Sequence, residues 1–192
     1  MKNIIQKRIV CTLVMITGVF FSSLTSAHFM VAQHGTLNFV GDGVFMVLSL
    51  PMSAFELSDD DANGAISMVE FNRQRAKVVA SIREEVSLRD ESGPRLLLGL
   101  MLSPELDHDS IQENISQVIV MGKFNLDDLL GEMSFKVGLF GTAPEEQKIE
   151  VVAMRKSDNI TQQIELFPGK VSSSLMSALL RSSGDAHNSQ IQ

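Results

Sequence analysis

Six residues in the segment DDDANGAISMVE, residues 59–70, have the types and spacing to hold a hard cation. With Asp59 counted as position 1, Asp61 stands at 3, Asn63 at 5, Ala65 at 7, Ser67 at 9 and Glu70 at 12, and Gly64 occupies position 6. Side chains at alternate positions of a curling loop converge on one point, and glycine at position 6 permits the sharp turn. Ala65 would offer its carbonyl, and Ser67 its hydroxyl or a bridging water. Glu70 would offer both carboxylate oxygens from the first turn of a following helix. Every donor is a hard oxygen, which selects calcium over zinc or copper, and the size of such a site disfavours magnesium. The bland alternative is a solvated acidic run in which Ser58 or an Asp caps the helix. The agreement at all five constrained positions favours the cation.

The segment satisfies the pattern D-x-[DN]-x-[DN]-G-x5-E, with Phe55 four residues before it and Phe71 directly after it. On these residues, about 52–75, the chain resembles the EF-hand family. The resemblance implies a helix–loop–helix that binds Ca2+ through Asp59, Asp61, Asn63, Ala65, Ser67 and Glu70. Two features depart from the family. PMSAFELS leaves room for only a short entering helix after Pro51, and no second loop of this pattern is present to brace the first through position 8, here Ile66. The loop is therefore expected to be braced by the domain that carries it, and the paired lobe of a calcium sensor is not expected. The order of leader, hairpin, SLPMSAF, acidic loop, helix and strands also resembles soluble extracytoplasmic domains that precede multispanning membrane segments in some bacterial proteins.

The elements around the loop are predicted from periodicity. Met68, Phe71, Arg75, Val78, Val79, Ile82 and Val86 recur at three- and four-residue spacing, which predicts one amphipathic helix over 67–86. Before it, GTLNFVGDGVFMVLSLP places two β-rich runs around Gly41-Asp42-Gly43 and reads as a hairpin. After it come EVSLRD, RLLLGLMLS, QVIVMGKF, MSFKVGLF, QKIEVVAMRK and ITQQIELF, punctuated by ESGP, SDN and PG. Roughly eight short strands predict an α+β fold: an antiparallel β-sandwich-like domain over 28–180, with an EF-hand helix–loop–helix inserted at 52–86. KVSSSLMSALLR reads as helix or strand, and residues 181–192 as a disordered tail.

Residues 1–27 have a basic start at Lys2, Lys7 and Arg8, an apolar run from Ile9 to Phe21, and small residues Thr25 and Ala27 at the end. This is the pattern of a secretory signal peptide cleaved between Ala27 and His28. Export to a periplasm or beyond the cell is expected. Cleavage would leave 165 residues without Cys11, excluding disulfides and thiol catalysis, and would take the formal charge from −7 to −10. So acidic a chain is not expected to bind nucleic acid, and no later apolar run is long enough to span a membrane. Carboxylates are plentiful, but none stands out as an acid and base pair. There is no glycine-rich phosphate loop, nucleophile elbow or histidine-rich zinc motif, so a non-enzymatic role with an unknown protein partner is expected. The alternative is a copper protein or copper enzyme, in which a new amino-terminal His28 chelates the metal together with His34. Lesser candidates are Glu105 with Asp107-His108-Asp109 and Asp127-Asp128, both more simply read as polar, solvated loop, and the glycosylation patterns at Asn114 and Asn159, which matter only in a suitable secretory pathway.

Overall fold

Alternation sets the strands. In β1 (His34–Val40) Leu37 and Phe39 are buried while Thr36 and Asn38 are not, and after the turn at Gly41–Asp42 strand β2 (Gly43–Pro51) buries Val44, Met46, Leu48 and Leu50. The computed structural model describes residues 32–107, 114–126 and 132–180. The expected leader with Cys11 and the Ala27/His28 junction, the tail at 181–192, and His108, Asp109, Asp127 and Asp128 lie outside those residues.

The chain continues through α1 (Met68–Glu85), β3 (Val86–Asp90), β4 (Gly93–Pro94), β5 (Leu98–Leu106) and β6 (Ile115–Asn125). It then forms β7 (Ser134–Val137), β8 (Ile149–Arg155), β9 (Ile160–Leu166), β10 (Ser172–Ser174) and the single turn α2 (Ser177–Leu180). Two sheets result, one ordered β5-β6-β2-β1-β8-β9 and the other β10-β7-β3-β4. The architecture is thus a strand-rich α+β fold, and one hydrophobic cluster draws on both sheets and on α1. The carboxyl-terminal segment joins the sheets: Gln162 Nε2 donates to the Ser174 carbonyl at 2.9 Å, and its Oε1 accepts from the Met176 amide.

The pairing corrects the expectation of a wholly antiparallel sheet. β1 runs antiparallel to β2 on one side but parallel to β8 on the other, with Leu37 opposite Ala153. A parallel neighbour requires a long crossover, and here α1 and strands β2 to β7 intervene, among them three of the four strands of the second sheet. Alternation within a strand fixes which face is buried, not the direction of the strand beside it.

Helix α1 lies within one residue of its expected bounds at each end. Phe71, Val78 and Ile82 are fully buried on its inner stripe, each contributing about 1.5–3 kcal/mol by leaving water. Arg75 extends that stripe by lying over the Phe71 ring and donating from Nη2 to the Leu102 carbonyl of β5 at 3.1 Å. The helix passes directly into β3, so its position fixes the start of the second sheet.

The entering helix of the expected helix–loop–helix is not formed. Only a 3-10 turn at Met52–Ala54 follows β2, closed by the Phe55 amide donating to the Met52 carbonyl at 3.1 Å. Phe55 and Leu57, two residues apart, both pack on the core, which extended chain allows and a helix does not.

Candidate metal centre

Ser67 begins α1 as its cap, and the acidic loop is folded back onto that cap. The Ser67 hydroxyl accepts from the Glu70 amide, while Glu70 Oε2 accepts from the Ser67 amide and hydroxyl, each at 2.8 Å. This reciprocal arrangement satisfies amides that the first helical turn leaves unpaired. Glu70 Oε1 meanwhile accepts from the Asp60 amide at 2.7 Å, so one nearly buried carboxylate ties the start of the loop to the start of the helix. These donors, led by the Ser67 amide and then its hydroxyl, hold the Glu70 carboxyl down at about 2, against an ordinary value of 4.5.

The loop itself is built from side chains bonding to nearby amides. Asp59 Oδ2 accepts from the Gly64 amide at 2.7 Å and Oδ1 from the Asn63 amide at 3.3 Å. The Gly64 amide is the main reason that the Asp59 carboxyl is held below its usual range. Asp61 accepts from the Asn63 amide and from Asn63 Nδ2 at 3.2 and 3.0 Å. Asn63 Oδ1 accepts from the Ala65 amide at 2.9 Å. Ala62 and Gly64 take φ of +56° and +85°, and this left-handed pair makes the curl that the spacing requires.

Asp59, Asp61 and Glu70 each present an oxygen such that all three lie within 4.8 Å of one another. Calcium binds oxygen at about 2.3–2.6 Å, so ligands on opposite sides of one ion are about 5 Å apart, and this trio fits around a single calcium. Asp59 and Asp61 each use two of the four or so lone-pair sites of an ionised carboxylate, which leaves capacity for a cation. Of the other expected ligands, Asn63 and Ser67 are hydrogen-bonded to members of the trio, and Ala65 follows directly after the curl.

Two supports keep the loop in place. At its start, Asp60 pairs with Arg73, and Gln74 both donates to the Ser58 carbonyl and accepts from the Ser58 amide, at 2.7 and 2.8 Å. At its end, the Ile66 carbonyl accepts from the Ile115 amide at 2.8 Å, beside an isolated bridge between Ser67 and Asn114. Position 8 of the loop is therefore braced by the first residue of β6, as a lone loop in a larger domain requires.

The lesser candidates are placed differently. Glu105 accepts from its neighbour Ser103, and the Asp107 amide donates to the Asn114 carbonyl, an ordinary closure of the loop between β5 and β6. His34 is engaged at both ring nitrogens, with Nδ1 3.0 Å from the Ala32 carbonyl and Nε2 3.5 Å from Glu150. Asn159 forms the left-handed cap of the turn before β9.

No sequence motif singles out Arg155, yet it is 1% exposed. Its Nε donates to the Leu179 carbonyl at 2.8 Å, Nη1 to the Gly41 carbonyl at 3.2 Å, and the guanidinium lies over the Phe39 ring. The signal was parity: Ile149, Val151, Ala153 and Arg155 alternate on the buried face of β8.

A comparison with models of known protein families found no match, and a search of curated proteins found none with significant similarity.

Proposed function

We propose that this chain is an exported calcium-binding protein with no catalytic activity of its own. Calcium would be held by Asp59, Asp61 and Glu70 together with Asn63, the Ala65 carbonyl and Ser67. The observation that carries this reading is the coincidence of the twelve-residue spacing with three carboxylates drawn within 4.8 Å of one another. The ion would supply charge neutralisation, fixing the loop and with it the attitude of α1, whose outer side would then face a protein partner. Only the loop and its exit helix follow the EF-hand pattern; the entering side is replaced by a 3-10 turn and the paired loop by β6. We read the two sheets as the faces of a sandwich, and residues 1–27 as the leader that takes the chain to compartments where calcium is abundant.

Without a partner loop, affinity falls near the ~10⁻⁴–10⁻³ M of extracellular calcium modules. At free calcium about 100 times the dissociation constant, binding to the folded form alone adds ~2.7 kcal/mol and raises the melting midpoint by several degrees. Thermal melts with and without millimolar calcium test this. Wild type should gain those degrees, and Asp59→Ala and Glu70→Gln should lose most of the gain while keeping the strand-rich circular dichroism. An unchanged wild-type midpoint, or equal stabilisation of both variants, would reduce the loop to a solvated helix start.

A further inference from the structure

An apolar groove of about 400 Å³ crosses the outer face of β2, β6 and β5, at the end of the large sheet away from β8 and β9. Its making is local. Between Leu98 and Met101 strand β5 carries one residue more than β6, with Gly99 at φ +59°, and this bulge arches the edge strand. Leu98 and Met101 form the raised wall, 37% and 58% exposed, and Val47, Met121 and Phe45 line the trough beside them. The lining carries one charged side chain, Lys123, whose ammonium lies 5.7 Å from the centre of the Phe45 ring. Lys123 makes no ion pair among the described residues, although the chain as a whole is acidic.

A concave, largely apolar surface is the usual form of a small-molecule cleft, and its volume falls within the ~300–1,000 Å³ of such clefts. A cation without an ion-pair partner among the described residues, at the rim of such a trough, is complementary to an anionic head on an apolar tail. The volume suits one short tail and not a two-chain lipid. We propose that this groove binds a soluble, single-tailed, monoanionic amphiphile, with the tail along Met101, Met121 and Val47 and the head group at Lys123. The thioether side chains suit this role, since they repack around tails of differing shape. The inference does not rest on calcium, because the groove and the acidic loop share no residue.

Three probes with tails of nearly equal length separate head from tail: decanoate, decanol and decyltrimethylammonium. Titrated into the protein with the methionine methyl resonances observed, decanoate should shift Met101 and Met121. It should bind about two- to fivefold more tightly than decyltrimethylammonium, the preference that a partly exposed ion pair can deliver. Lys123→Gln should bring the three probes to similar affinity, and Met101→Glu, at an exposed edge position, should weaken decanoate without altering the melting midpoint. Equal binding of all three probes to the wild type, a preference that survives Lys123→Gln, or shifts confined to other methyls would overturn the proposal. So would Met101 and Met121 shifts produced by raising the protein concentration alone, which would assign the face to a second copy of the chain.

Discussion

The acidic loop and the Arg155 centre are both polar networks, built in opposite ways. In the loop, the side-chain hydrogen bonds join residues no more than 16 apart, with the backbone bond from Ile115 to Ile66 as a distant brace, and much of the network faces solvent. Arg155 is buried and reaches Leu179, 24 residues away, and Gly41, 114 residues away. On the proposed reading, the first network would gain or lose a cation with little disturbance of the sheets. The second clamps the β1–β2 hairpin and the carboxyl-terminal turn to β8 and has no solvated alternative. A site that exchanges a ligand is best made from local bonds, and a clamp from distant ones.

Removing the clamp should have the largest effect. Arg155→Met keeps apolar bulk but deprives the Leu179 and Gly41 carbonyls of a charged donor, so about 3–5 kcal/mol should be lost, read as a lower urea midpoint with an unchanged slope. Calcium should not restore it. A loss under about 1 kcal/mol would mean that the hairpin and α2 are held by packing alone.

Acid should act on the loop. Because the Glu70 carboxyl lies near 2 in the folded chain and near 4.5 when free, the folded form binds this proton less readily than the unfolded form. The stability it contributes is complete above about pH 4.5 and is lost as pH falls toward 2. Stability measured across that window should fall less steeply in Glu70→Gln than in wild type; parallel profiles would show that the Ser67 and Asp60 amides do not hold the carboxylate.

Ser67→Ala removes the cap of α1 and should cost about 1 kcal/mol by chemical denaturation, while also weakening calcium binding through its bond to Glu70. If stability falls and calcium affinity does not, cap and metal centre are separate. The smallest effect belongs to Arg73→Ala. Its pair with Asp60 is largely exposed, so less than about 1 kcal/mol should be lost, and less still in high salt.

The same contrast explains what was legible beforehand. Helix α1 and the β1–β2 hairpin depend on residues near one another in the chain, so periodicity placed them closely, and the nearness of Asp59, Asp61 and Glu70 was legible in their spacing for the same reason. The parallel seam between β1 and β8 could not be read, because no short segment encodes the direction of a distant partner. The entering helix failed because packing Phe55 and Leu57 together on the core required extended chain, while Ser53 is drawn to Glu146 from across the fold. Arg155 sat in plain parity on β8, but its partners at Gly41 and Leu179 become visible only when the strands are assembled.

Calorimetric titration of calcium into the metal-free protein tests the central claim most directly, with magnesium and the Glu70→Gln variant run beside it. One calcium per chain should bind at about 10⁻⁴–10⁻³ M, magnesium should bind more weakly, and the variant should show no heat of binding in that range. Wild-type protein that gives no calcium heat at millimolar concentration, or a variant that titrates as wild type does, would contradict the account.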